Sequence, residues 1–273
     1  MTVARALRLV RSDDERRAIE AGEIDGVLDA AQGNVLLLPQ AKRALSAAGG
    51  EPANSLLAAL PRRDYLRLLD EMELVPLVGG QVLYQPGERI RHVHFPIDAV
   101  VSLLVVLELK ALEVVLVGRE GMIGVPVALG VQHASVRAMV QGPGSALRMK
   151  AASFLEELEH CVALRREALR YANVKLLQAR QTAGCSAFHR IEQRLAFWLL
   201  MAHDRMPANS LKFTHEILAD MLGVRRVGVT NAALDLQRRG LLDYRRAEIR
   251  VLDRKGLEAA ACSCYRTVRT LAG

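Results

Sequence analysis

Apolar residues recur along this chain with changing periods, and each change of period marks a new part. Over residues 1–53 no period persists. This extension is rich in alanine and charge, Ser12-Asp13-Asp14-Glu15 is suited to start a helix, and Ala47–Pro52 reads as a linker, so partial helicity is expected. Residues 54–150 open with two short helical stretches, Ser55–Leu60 and Arg62–Met72, on either side of Pro61. Short β-branched runs follow: Val82–Tyr84, Val93–Phe95, Val100–Leu107, Leu112–Val117, Val136–Gln141 and Ala146–Met149. Glycine and proline separate them, at Gly79-Gly80, Pro86-Gly87, Gly118, Gly121 and Gly142-Pro143-Gly144, as in an antiparallel β-barrel or jelly roll. The pair Val100–Leu107 and Leu112–Val117 also has a helical reading. Its β-branched content and turn-like gap favour a hairpin.

From 151 to 186 the period lengthens. Leu155, Leu158, Val162, Leu169, Ala172, Leu176, Ala179 and Ala183 fall at alternating steps of three and four, the spacing of a coiled-coil seam. Val162, Leu169, Ala172, Leu176 and Ala179 are therefore the expected dimer contacts of one long connecting helix. Gly184-Cys185-Ser186 is expected to break it, with Ser186 capping the next helix, Ala187–His203. The segment 187–273 then holds the most informative stretch, Phe213–Leu242. Two helical patterns there, one with Ile217, Leu218, Met221 and Leu222, the other with Val227, Val229, Ala232, Ala233, Leu234 and Leu236, are joined by a very short turn. Ala219 is small where the helices cross, Gly223 sits where positive φ is needed, and Val229 fills the angle between them. Leu241–Arg245 and Glu248–Leu252 follow as two strands with Arg246-Ala247 at the tip, and Gly256–Leu271 reads as a closing helix. The whole is an α+β chain ending in a winged helix-turn-helix.

Charge sharpens that reading. Of the formal net charge of +7, the segment Arg205–Lys255 supplies a net +5, from 11 Lys/Arg against 6 Asp/Glu, while 1–53 carries 7 basic and 8 acidic residues, a net −1. Basicity concentrated around a helix-turn-helix is what phosphate contact requires. Aromatic content of 4% is too low for a base-stacking single-strand or RNA platform. The apolar stretch Ile97–Val117 is interrupted by Glu108, Lys110 and Glu113 and is not expected to span a membrane. No secretory signal pattern opens the chain, and a reducing cytoplasmic setting is expected. The 4 cysteines contain no C-x-x-C pair, only Cys262-x-Cys264 beside Cys161 and Cys185 in helical patterns. No zinc or iron–sulfur cluster, and no other metal, is expected from that spacing. His92 and His94 alternate along one strand as ordinary barrel histidines.

The order of barrel, long helix and winged helix resembles the cyclic-AMP receptor protein/fumarate–nitrate regulator (Crp/Fnr) family of bacterial transcription factors. The likeness covers about residues 54–273. It rests on Thr214, Ala219, Leu222-Gly223-Val224, Arg226, Val229-Thr230, Leu234, Leu236 and Gly240-Leu241-Leu242, and more weakly on Gly121-x-x-Gly124 and Ser135-Val136-Arg137-Ala138. It implies a cyclic-nucleotide-binding-like sensory barrel over 54–150, a dimerisation helix over 151–186 and a DNA-binding domain over 187–273. It also implies a homodimer on double-stranded DNA that contacts RNA polymerase.

By that resemblance Arg226 aligns with a guanine-reading arginine, and Arg225, Thr230 and Asn231 are the other expected base readers. Thr214, His215, Arg245 and Arg246 are expected at the DNA backbone. Val227 stands where the cyclic-AMP receptor has a base-reading glutamate, so a different half-site is expected. The nucleotide pocket is degenerate. Val125, after Gly124, replaces the ribose-holding glutamate, and Ala134, beside Ser135, replaces the phosphate-holding arginine. Arg137, three residues on, is expected to point elsewhere. Without that bidentate cation, cyclic AMP is not the expected effector; no cofactor is assigned and the effector is left open. Haem sensing would need an axial ligand such as His92, His94 or His133. No nucleophile elbow, P-loop, dinucleotide or zinc-protease motif is present, so catalysis is not expected. The competing reading is a regulatory protein whose winged helix binds a protein partner.

Overall fold

The computed structural model describes residues 17, 26–29, 34–37, 52–108, 110–206 and 210–272. Ser12–Glu15 and nearly all of Ala47–Pro52 lie outside them. Within the extension, β1 (Gly26–Asp29) and β2 (Asn34–Leu37) pair antiparallel as a hairpin that the sequence pattern did not predict. β2 meets β3 (Glu73–Leu77) through Val35 opposite Leu74. The β3 strand has no forerunner in the sequence pattern, because Pro76 argues against an interior strand.

The barrel comprises two antiparallel sheets sharing one core. The first runs β1-β2-β3-β9-β5, with β5 at His92–Pro96 and β9 at Gly144–Lys150; the second runs β4-β8-β6-β7, at Val82–Tyr84, Arg137–Gly142, Val100–Leu107 and Lys110–Val117. The expected Val100–Leu107 hairpin is therefore present, with Leu107 opposite Lys110. Along β8 every second residue is buried, so Ala138 and Val140 face the core beside Val101, Val115 and Phe95. Two short helices, α1 (Ser55–Ala58) and α2 (Arg62–Asp70), close one side. Asn54 anchors them: its buried amide donates to Pro96 O (2.9 Å) and Gly121 O (2.8 Å), and its carbonyl accepts from Leu57 N (3.2 Å). The short α3 (Val125–Ala128) follows Gly124 at φ +95°.

The connecting segment differs from expectation in where it breaks. α4 (Ala151–His160) ends at Cys161, whose extended backbone and thiol cap the next helix by accepting from Leu164 N. α5 then runs unbroken from Val162 to Phe188, straight through Gly184-Cys185-Ser186. Its buried face (Leu164, Ala168, Tyr171) packs on its own barrel. Tyr171 lies so close that a Cβ at Gly121 would stand 1.9 Å from its ring, which is why Gly121 carries no side chain.

The C-terminal unit follows as α6 (Ile191–His203), β10 (Ser210–Lys212), α7 (His215–Leu222), α8 (Arg226–Arg238), β11 (Leu242–Arg245) and β12 (Glu248–Val251). The three strands form one sheet in the order β10-β12-β11. The expected single closing helix is instead two, α9 (Arg254–Ala260) and α10 (Cys264–Ala272), because Ala261 adopts an extended conformation. The core of this unit is continuous with Val100, Leu104 and Leu116 of the barrel.

Candidate nucleic-acid interface

Local sequence explains the helix-turn-helix. Thr214 caps α7 by accepting from Ile217 N (3.2 Å). At the other end Gly223 adopts φ +64°, its amide donating to Asp220 O (3.1 Å) while Val224 N donates to Ala219 O (3.0 Å). This pair of bonds is the Schellman closure that stops a helix sharply. Arg194 of α6, buried, donates to the last carbonyl, Leu222 O, and so fixes the turn from below.

The sequence assigned Val227 and Leu234 to the buried face of α8, and Ile217 to that of α7. They are 62%, 51% and 36% exposed; Val229, Ala232, Ala233 and Leu236 alone form the buried stripe of α8. At 100° per residue Val227 and Leu234 fall on the side of α8 opposite that stripe, and Ile217 falls about a third of a turn from the centre of the buried face of α7.

The expected base readers share the open face. Arg225 is the N-cap of α8 and exposed, as are Arg226 and Asn231. Arg226 makes only a loose surface ion pair, Nε to Glu216 Oε2 at 3.8 Å. Thr230 is engaged: its hydroxyl meets His215 Nδ1 at 3.0 Å and donates to Arg226 O at 3.1 Å. His215 also stands edge-on to Tyr244, with ring centroids 4.6 Å apart, and Tyr244 donates to Phe213 O at 2.6 Å. Burial, and then the charge of Arg226, hold the His215 pKa below its ordinary value, which favours the neutral ring. A groove between α8 and the wing is bordered by His215, Leu234, Gln237, Tyr244 and Arg246. The wing tip, Arg246-Ala247, has φ +51° and +67°, the two left-handed residues of a tight hairpin. Arg245 is tied to Asp243 (3.0 Å), while Arg246 is exposed and forms no ion pair among the described residues.

In the barrel, Val125 packs against the core, Ala134 is buried and Ser135 is exposed. Arg137 donates to Gln85 Oε1 at 2.7 Å. A nearby cleft is lined by Tyr84, Glu88, Arg89, Arg91, His92 and His94. His94 is fully buried, with its pKa pulled down to about 3 by desolvation and by Arg148 and His92, so its ring is neutral.

The residues that join barrel to head escaped the sequence reading. Glu113 of β7 was visible only as a charge interrupting an apolar run. It is buried, and it accepts from Ser102 Oγ and from Trp198 Nε1 of α6 (2.8 Å). Beside it Glu120 accepts from Arg205 Nε (2.9 Å) and Lys175 Nζ (3.4 Å), linking the β7 end to the α6 end and to α5. Burial pushes the Glu113 carboxyl from 4.5 up to about 7, against the pull of the Ser102 and Trp198 bonds and of Arg205. Because the folded pKa is the raised one, the stability it supports is complete below the ordinary carboxylate range. It is lost as pH rises from about 4.5 through about 7. Urea unfolding of the wild type should therefore lose about 3 kcal/mol relative to Glu113→Gln across that window. A pH-independent difference between the two proteins would refute the buried-acid account.

Thiols provide a second correction. The spacing gave no cysteine cluster, yet Cys185, Cys262, Cys264 and His189 converge in one place. Residues 77 apart meet because α10 folds back along α5, a pairing that local spacing rules do not register.

A barrel followed by a long helix and a winged helix-turn-helix head defines a two-domain architecture. Residues 193–260 match the family model for the Crp-like helix-turn-helix domain. Solved structures of similar fold include a Crp/Fnr-family transcriptional regulator from Eubacterium rectale (16% identity, TM-score 0.62, covering 77% of this chain and 99% of that one). FixK2 from Bradyrhizobium japonicum is similar at 15% identity and TM-score 0.59, over 70% of this chain and 98% of that one. The c-di-GMP-responsive regulator CLP from Xanthomonas campestris is similar at 17% and 0.55, over 70% and 99%. No curated protein matches the chain. The chain thus has the fold of Crp/Fnr regulators and carries their type of helix-turn-helix domain. Among the described residues no helix is long and apolar enough to cross a membrane.

Proposed function

We propose that this protein is a homodimeric, sequence-specific DNA-binding transcription regulator of the Crp/Fnr type. The observation that carries the reading is the exposed start of α8, where Arg225, Arg226, Val227 and Asn231 stand free of the core. Arg226 would read guanine O6 and N7, and the exposed Val227 offers an apolar contact for a thymine methyl. Thr214, His215 and Arg246 would hold phosphates along the groove beside the wing. Arg245, paired to Asp243, is a weaker candidate for that role.

Dimerisation is supported by the outer face of α5. Val162, Leu169 and Leu176, seven residues apart, are 67%, 45% and 49% exposed, while the opposite face is occupied by the protein's own barrel. A heptad of exposed aliphatics is a seam for a second copy. Ala172 and Ala179 are half-buried beside it, small enough to let the helices approach. A two-fold pair would set two recognition helices about 34 Å apart on a near-palindromic site. RNA polymerase is the partner such a regulator would engage in the cytoplasm.

The barrel would sense something other than cyclic AMP, since Val125 and Ala134 supply neither the carboxylate nor the cation that a cyclic nucleotide needs. Selection of bound duplexes from a random pool, with and without a metabolite extract, tests the function. An enriched, near-palindromic sequence is expected. Absence of enrichment in both arms would overturn DNA reading and favour a winged helix that binds protein.

A further inference from the structure

At the junction between connector and head, four side chains with metal-ligand chemistry face one another. Cys185 lies in the last turn of α5, and His189, four residues on, is the residue that ends that helix. Cys262 lies in the bend between α9 and α10, and Cys264 opens α10. All three cysteines are buried, and the histidine is half-buried. Cys185 Sγ is 3.5 Å from Cys262 Sγ, and Cys264 Sγ is 3.4 Å from His189 Nδ1. The four ligand atoms all fall within 4.8 Å of one another.

Those separations are informative. A tetrahedral zinc with bonds of about 2.3 Å to sulfur and about 2.0 Å to nitrogen spaces its ligand atoms roughly 3.5–3.8 Å apart. The observed pairs match one ion and are too close together to surround an iron–sulfur cluster, whose ligands sit on different irons. A disulfide would need one pair at about 2.05 Å, far shorter than the 3.5 Å between Cys185 and Cys262. Supporting contacts surround the group. Gln181 Nε2 donates to Cys264 Sγ at 3.0 Å, orienting one sulfur, and Phe197 packs on the thiols.

We infer that Cys185, His189, Cys262 and Cys264 form a closed, structural Cys3His site for a thiophilic divalent cation, zinc by its chemistry. Three thiolates and one imidazole complete a tetrahedron and leave no position for a substrate. Each cation bound displaces the thiol protons to solvent, so the thiols become thiolates with no change of oxidation state. The site joins the last turn of α5 to the start of α10 across the two-residue link His189-Arg190, where the head leaves the connector. It clasps the C-terminal helix to the hinge and is independent of whether the head reads DNA.

The full-length protein, purified under reducing conditions, should contain about one zinc per chain by elemental analysis. Metal-stripped protein titrated with Co2+ should develop the intense visible bands of tetrahedral cobalt and the near-ultraviolet band of thiolate–cobalt charge transfer, saturating at one equivalent. Cys262→Ser and Cys264→Ser should each weaken cobalt binding at least tenfold, whereas Cys161→Ser, remote from the group, should not. Because a variant could fail to fold, the wild-type cobalt spectrum is decisive by itself. Reduced wild-type protein with neither bound zinc nor a tetrahedral cobalt spectrum would overturn the site. So would a Cys185–Cys262 disulfide in protein isolated without oxygen, or bound iron with inorganic sulfide.

Discussion

Replacing Leu169 and Leu176 together with glutamate is expected to yield a folded monomer that has lost almost all affinity for a two-half-site operator. Both side chains are about half exposed, at 45% and 49%, so the change leaves the packing of α5 on its own barrel untouched. In a dimer the substitution would instead gather four carboxylates along one seam, where like charges repel and desolvation is costly. Two linked heads bind as if the second were present at high local concentration, so uncoupling them should cost about 10²–10⁴-fold in operator affinity. Sedimentation velocity gives the oligomeric state and gel-shift titration the affinity. A variant that stays dimeric moves the interface elsewhere; one that is monomeric with full operator affinity removes the need for a pair.

The second large effect is expected at Arg226. Alanine there should reduce affinity for the selected operator by about 1–3 kcal/mol and relax preference at a single base pair. Binding to random duplex should change little. The ion pair to Glu216 does not alter that forecast: both partners are more than two-thirds exposed, at 69% and 68%, and a pair of that kind contributes about 0–1 kcal/mol. Equal losses on operator and random DNA would demote Arg226 to a phosphate contact.

Much of this molecule could be read from spacing. The helix-turn-helix was legible because Thr214, Ala219, Gly223 and Val229 each answer a local backbone or packing demand. The strands of the barrel were legible where glycine and proline bounded β-branched runs. What failed was tertiary. Pro76 hid β3, since a proline argues against an interior strand. Cys161, rather than Gly184, breaks the connector, because packing on α5 outweighs the low helix propensity of one glycine. Val227 and Leu234 look like core on a count of apolar residues, although the 100° step of a helix already sets them opposite the buried stripe. The Cys–His group and the Glu113–Trp198 contact join residues 77 and 85 positions apart, a distance at which periodicity carries no information.

One apolar cluster runs without interruption from Val100, Leu104 and Leu116 into α6, α7 and α8. A head cut free at the connector would therefore bare aliphatic surface that the barrel strands now cover, and would strand the indole N–H of Trp198 without its carboxylate. Such a fragment is poorly suited to survive as a soluble module, and heat should melt the intact chain in a single step rather than two. Any signal that swings the heads must also open this common interior, so whatever triggers the motion has to supply the free energy of wetting it.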